Sequence, residues 1–433
     1  MVSTWSSGAT LPSTQFQSMF SEEKSQSGLT FVDFLPEQRS RGGFFSQAKY
    51  ETFRSLVDRA NDWLRANPQW KIKTCESVEF KDKGNEIDSE KMIYLEYGEA
   101  STCYIRGLRL WISKRNSGEE RSQQIGYINI VPEKKKDGGI FSSAVFEDLD
   151  EVIDRFNSMI KNQPIPGRII TIESQEMKTK QSSDFEPDKS SWIESGQMAN
   201  HFLFVIRIFF ELSDAEVEEI GIKDFIPDIL ERGGIFSLPK YELFSTMVNK
   251  ASVWCSQQAD IRICNAQSLE IKVRRGNEVD TQKMNYFEHS GRATFYVRIL
   301  RLTYVKPPLY TKTDFKSSDI SHISCKSFVP VQISSGIFFP EFETLNETKE
   351  RISAWMKATG ARVISAETSA LRILTGGEAK QGTEASFTFN QAERDEYWIF
   401  VIRVYLNGAY KEPPEEMLPP VPELEEQNCC TLL

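Results

Sequence analysis

Apolar side chains at Tyr50, Phe53, Val57, Ala60 and Leu64 recur every three or four positions, with Leu56 and Trp63 widening the stripe. That spacing predicts an amphipathic helix with one buried face. Beyond it the period changes. The runs "WKIKTCESVEF" and "CYIRGLRLWI" alternate or are almost continuously apolar, as strands with one or two covered faces are. A polar insert separates the two runs, and a short apolar segment ending near a proline, "FVDFLPE", precedes the helix. The predicted order is β-α-β-β.

That order returns three times. The phrase "GGFFSQAKYETF" at 42–53 reappears as "GGIFSSAVFEDL" at 138–149, "GGIFSLPKYELF" at 233–244 and "SGIFFPEFETL" at 335–345. The segments "YINIVPE", "KDFIPD" and "KSFVPV" precede the later copies. Recurrence at roughly 100 residues with one succession of elements is the signature of a repeated unit. The first and third copies share "GNEIDSEKMIYLEYGEASTCYIRGLRL" against "GNEVDTQKMNYFEHSGRATFYVRILRL", and the second and fourth share "HFLFVIRIFF" against "YWIFVIRVYL".

The expected fold is thus α+β: four tandem β-α-β-β modules in two pseudo-symmetric A-B halves, with helices largely on one sheet face. A disordered N-terminus is expected over 1–28 and a disordered Pro/Glu-rich tether over 413–433. The first block spans 29–214, with modules at about 29–118 and 119–214; the second spans 215–412, with modules at about 215–310 and 311–412. One helix covers only one face of a small sheet, so the modules of a block are expected to share a core or a larger sheet.

The repeat comparison isolates one polar pattern. The strand after each helix carries Glu76, Glu173, Gln267 and Glu367, each followed by Ser or Thr. Aligning the last strands as "CYIRGL", "FVIRIF", "FYVRIL" and "FVIRVY" places Arg106, Arg207, Arg298 and Arg403 together. Antiparallel pairing would set a carboxylate against a guanidinium. The favoured reading is a structural pair that fixes strand register; the alternative is an enzyme gripping an anionic substrate between paired modules. Gln267 in place of an acid weighs against catalysis.

Other chemistry is sparse. The glycines before each helix could present N–H groups to an anion, but no phosphate-loop spacing accompanies them, so they read as turns and caps. Three histidines and seven scattered cysteines without a C-x-x-C pair suggest neither a metal site nor a disulfide framework, and no cofactor is expected. The net charge, 52 − 62 = −10, argues against a nucleic-acid partner. No signal-peptide pattern opens the sequence, Val2 is not the glycine that N-myristoylation needs, and "HFLFVIRIFFEL" is too short to cross a bilayer as a helix.

From 413 the text becomes "PPEEMLPPVPELEEQNCCTLL", a composition that makes an extended spacer. At about 3.1 Å per residue, roughly 18 residues reach on the order of 55 Å. Cys430-Thr431-Leu432-Leu433 reads as a C-a-a-X box, and Leu433 is the terminal residue usually associated with geranylgeranyl transfer. The box resembles those closing Rho-type small GTPases, some of which carry an adjacent palmitoylated cysteine. The resemblance covers the last five residues and implies a prenyl thioether on Cys430 and an acyl chain on Cys429. One lipid chain anchors weakly, and Glu423, Glu425 and Glu426 offer no attraction to an anionic leaflet, so a second chain is the natural second signal. The expected protein is a lipid-anchored, non-catalytic interaction or scaffold protein on the cytoplasmic face of membranes, with a soluble cytosolic pool. It would present its modules to proteins or lipid head groups in signalling or trafficking.

Overall fold

The computed structural model describes residues 28–40, 48–82, 87–96, 101–115, 121–138, 144–179, 185–194, 200–234, 238–274, 277–288, 293–306, 322–335, 340–373, 379–390, 396–422 and 424. The fold is mixed α and β, and strand outweighs helix 53% to 19%, so sheets frame the molecule.

Four four-stranded sheets are built alike. In the first, a central strand Thr102–Lys114 carries the inner strand Trp70–Asp82 on one side. Its other side carries Thr30–Phe34 and, end to end with it, Ser191–Glu194. The second sheet has Asn200–Glu216 at its centre, Ile165–Thr179 inside, and Ile125–Ile130 with Asn285–Glu288 outside. The third has Thr294–Lys306, Arg262–Lys272, and Glu219–Phe225 with Phe387–Asn390. The fourth has Glu396–Asn407, Arg362–Ile373, and Ile323–Phe328 with Ile93–Glu96. All of these pairings are antiparallel.

The second outer strand in each list comes from the chain segment that builds the next sheet. Ser191–Glu194 crosses from the second segment to the first sheet, Asn285–Glu288 from the third to the second, and Phe387–Asn390 from the fourth to the third. Ile93–Glu96, from the first segment, completes the fourth sheet. The exchange therefore closes into a ring. The expected polar inserts are where these strands lie, so the expected β-α-β-β order omits one sheet strand each time. The expected block boundary at 214/215 falls inside the strand Asn200–Glu216, and only Val217 and Glu218 separate that strand from the third sheet.

The helices are α1 Phe53–Ala66, α2 Leu149–Ile160, α3 Phe244–Ser256 and α4 Leu345–Thr359, with a short α5 at Ala379–Glu384. Thr52 caps α1, whereas Asp148 with Glu151, and Thr344 with Glu347, form capping boxes on α2 and α4. Gly360, at φ 62°, ends α4 in the left-handed conformation a glycine adopts without strain. Tyr50 lies ahead of the helix in a two-stranded ribbon, Lys49–Tyr50 with Gln38–Ser40; the other apolar positions of the predicted stripe belong to α1.

Each long helix packs between two sheets rather than on one face of its own. Phe53, Leu56, Val57, Ala60 and Leu64 of α1 meet Leu108 and Leu110 of the first sheet and also Ile125, Tyr127 and Phe209 of the second. The core around α2 joins the second and third sheets, that around α3 the third and fourth, and that around α4 the fourth and first. The core is shared around the whole ring, not within two separate blocks. Asn61 of α1 and Asn157 of α2 each clamp the first residue gap of the next sheet, exchanging hydrogen bonds of 2.8–2.9 Å with the backbone of Ile125 and Ile220.

Candidate functional site at the ring axis

The four inner strands face one another around the axis, each packed on the next. All four carry a register shift at one place, between Ile72 and Thr74, Ile169 and Thr171, Ile263 and Asn265, and Val363 and Ser365. Such bulges bend and twist a strand, which suits four inner strands turning about a narrow axis. Beyond the bulge come the acid and hydroxyl positions singled out in the sequence.

They close the seams between sheets. Glu173 of the second sheet accepts the Ser77 N–H of the first at 3.0 Å and also its hydroxyl. Gln267 of the third accepts from Ser174 N–H at 3.0 Å and returns a bond of 3.2 Å to the Ser174 carbonyl. Glu367 of the fourth accepts from Ser268 N–H at 2.8 Å. Glu76 of the first accepts from the Thr368 N–H of the fourth, completing the circle. A backbone N–H and a side-chain acceptor, at least one of them part-buried, are thus satisfied together at every seam.

A guanidinium backs each junction, though in two sheets it is not the expected one. Strand register sets Glu76 opposite Arg109, Glu173 opposite Arg207, Gln267 opposite Arg301 and Glu367 opposite Arg403. Arg109, Arg207, Arg301 and Arg403 donate to Thr368, Ser77, Ser174 and Ser268 hydroxyls at 2.8, 2.7, 2.9 and 2.7 Å. The alignment that grouped Arg106 and Arg298 with Arg207 and Arg403 is therefore off by three residues. Arg106 and Arg298 sit deeper along the strands, paired with Glu79 at 2.8 Å and Glu270 at 2.6 Å. A sequence signal for the right choice exists three residues before the proline of each leading segment, at Asp33, Asn129, Asp224 and Ser327. Asp33 and Asp224 grip Arg109 and Arg301 bidentately, Asn129 accepts from Arg207 at 2.7 Å, and Ser327 lies opposite Arg403.

Charge is not distributed evenly among the seams. In the second and fourth sheets one acid faces one arginine, Glu173 with Arg207 at 3.9 Å and Glu367 with Arg403 at 3.7 Å. In the third sheet Asp224 neutralises Arg301, and the seam residue is the neutral Gln267. The first sheet has two acids, Asp33 and Glu76, for the single Arg109. Burial raises the Glu76 carboxyl to about 7, against the pull of Arg109, the Thr368 N–H and the Trp111 indole N–H, which lies at 2.8 Å. Burial likewise raises Glu173 and Glu367 and lowers Arg207 to about 10.

The inner strands line a partly open cavity of about 280 Å³. Among the described residues its lining holds six glutamates (Glu76, Glu79, Glu173, Glu176, Glu270 and Glu367) and one cation, Lys81. Tyr94, Tyr104, Phe204 and Phe400 supply aromatic wall. Among the described residues no group of His, Cys, Asp and Glu is placed to hold a metal ion, and no helix is long and apolar enough to cross a membrane. Cys75, Cys255 and Cys264 are buried and Cys103 and Cys325 half-buried, and these five form no disulfide. Cys429 and Cys430 lie outside the described residues.

The chain matches no protein-family model, no curated protein and no solved structure.

Proposed function

We propose that this protein is a non-catalytic recognition scaffold made of four copies of one unit, β-α-β-β with a further short exchanged strand in its polar insert, tethered to the cytoplasmic face of membranes through a lipid on Cys430. Three features support the repeat: one order of elements in four sheets, one bulge position in four inner strands, and one seam hydrogen bond made four times. The observation that carries the scaffold reading is the use made of the Glu, Gln and Arg strand positions. Glu76, Glu173, Gln267 and Glu367 each accept a backbone N–H of the neighbouring sheet, and Arg109, Arg207, Arg301 and Arg403 each donate to a hydroxyl there, so they act as mortar for a rigid ring. The alternative, an enzyme for an anionic substrate, meets the wrong charge, because the cavity lining is dominated by carboxylates.

The tail supports the membrane address. Gly408 ends the last strand at φ 107°, and the segment that follows first packs back on α4 through Tyr410, Glu412 and Leu418; the Glu-rich stretch with the C-a-a-X box comes after it in the sequence. Palmitoylation of Cys429 would supply the second chain that stable anchoring requires. Protein partners or lipid head groups in signalling or trafficking are the proposed targets of the outer surface. The test is expression of the full chain in eukaryotic cells, with membrane fractionation and intact mass beside Cys430→Ser. A geranylgeranyl mass increment and membrane recovery, both lost in the variant, are expected. An unmodified chain that stays in the soluble fraction would refute the address.

A further inference from the structure

The outer surface around α3 departs from those around the other long helices at four corresponding positions. A two-stranded ribbon precedes each helix, Ile229–Glu231 with Lys240–Tyr241 in the case of α3. There Ile229 and Leu230 stand where the other ribbons have Gln38 and Arg39, Lys134 and Lys135, and Gln332 and Ile333. The capping residue is Thr52 on α1, Asp148 on α2 and Thr344 on α4, but on α3 it is Leu243, which offers no side-chain acceptor. Farther along the helix Val253 takes the place of Asp62, Ser158 and Ala354. Leu230, Leu243 and Val253 are each more than half exposed. A leucine at the cap gives up helix stability that Thr or Asp would supply, and aliphatic side chains gathered in water on one of four similar faces mark a contact surface.

Lys250 ties the ribbon to the helix, donating to Asp228 at 2.7 Å and Glu242 at 2.5 Å. It is the one charged residue of α3, whereas α1 carries five, α2 four and α4 five. The acids bordering the face are engaged within the chain: Asp228 and Glu242 by Lys250, Glu231 by Lys240 at 2.7 Å, and Glu384 by the Ser245 N–H at 3.0 Å. Depletion of charge around aliphatic side chains is the composition of an interface core.

Charge also indicates the occupant. Two copies, each of net charge −10, repel one another. A two-fold contact sets a surface against itself, so α1, α2 and α4 would each bring several charged residues up against their own copies. The α3 face brings aliphatic side chains together and leaves its bordering charges in their existing pairs. We propose that α3 and its ribbon form a two-fold dimerisation face, on which Ile229, Leu230, Leu243 and Val253 meet the same surface of a second copy. Four aliphatic side chains make a smaller patch than the about 800 Å² per partner of a standard interface, so the dimer is expected to be weak, with Kd in the micromolar range.

The test is sedimentation velocity of the full chain made in bacteria under reducing conditions, which excludes association through a C-terminal lipid or disulfides. Reversible dimerisation is expected between about 1 and 100 µM. Leu243→Thr installs the residue type that caps α1 and α4, so it should weaken the dimer about tenfold or more while the melting temperature holds or rises. Val253→Lys should do the same by placing like charges on the two copies, and Ser158→Lys, the same charge change at the corresponding position of α2, should leave the dimer intact. A chain that stays monomeric throughout, a dimer indifferent to both α3 substitutions, or one weakened equally by Ser158→Lys would overturn the proposal. So would a monomer that instead sediments with phosphatidylcholine vesicles and loses that binding in Leu243→Thr, since the face would then be a lipid contact.

Discussion

Arg109 is the residue on which the first seam turns. It is fully buried, grips Asp33 with two hydrogen bonds of 2.6–2.7 Å and reaches across to Thr368 of the fourth sheet. Arg109→Gln leaves a nearly buried carboxylate unpaired, so the expected loss in urea denaturation is about 3–5 kcal/mol. The exposed Arg65, paired only with Asp62 and Gln124 on the surface, should cost less than about 1 kcal/mol on the same change. Equal losses for the two would remove Arg109 from the seam. A second expectation concerns proton linkage at Glu76. Its folded pKa of about 7 lies above the ordinary value of 4.5, so between those values the folded state holds a proton that the unfolded state has released. Stability from this group is therefore fully present below about 4.5 and declines as pH rises toward about 7, at up to about 1.4 kcal/mol per pH unit. Denaturation of wild type and Glu76→Gln across that window should show the difference between them shrinking or inverting in that sense; a pH-independent difference would contradict the assignment. The acid half of this chemistry was legible because Glu76, Glu173, Gln267 and Glu367 each precede a hydroxyl residue. The basic half was not, because "IRGLRL" and "VRILRL" each offer two arginines three positions apart, and strand register, which decides between them, is a tertiary property.

At the scale of elements, helices were the most legible, since their 3.6-residue stripe reflects burial on two neighbouring sheets at once. The exchanged strands were hidden inside inserts with polar flanks. Four residues are too few to establish a period, although their aromatic content, "IYLE", "SWIE", "NYFE" and "FTFN", is a signal in hindsight. Trp192 shows how such a strand is held: its ring stacks on Tyr104 at 5.5 Å and lies under the Arg106 guanidinium at 4.5 Å. Trp192→Ala should cost about 2 kcal/mol in global stability. It should also speed amide exchange in the neighbouring strand Thr102–Lys114, as read by mass spectrometry. Unchanged exchange there would mean that the donated strand does not bear on the first sheet.

The ring as a whole has no seam free of a shared core, an exchanged strand or a hydrogen-bonded acid or amide. Calorimetric unfolding is accordingly expected as one cooperative transition rather than two, despite the duplicated halves read from the sequence. Two resolved transitions would restore independent blocks. The sequence marked four similar stretches and left open whether paired stretches share one larger sheet; a linear text carries no mark of closure, and Ile93–Glu96 reaches the fourth sheet across some three hundred residues of intervening chain. That contact is the most direct place to test the account. Tyr94 and Trp398 are register partners with stacked rings 6.1 Å apart, so Tyr94→Cys with Trp398→Cys lies within reach of a disulfide. Mild oxidation followed by peptide mapping should recover a 94–398 crosslink in the monomer, with a raised melting temperature. If those cysteines remain free under conditions where a control pair placed at Tyr104 and Trp192 crosslinks, the first and last sheets do not meet, and the closed ring is wrong.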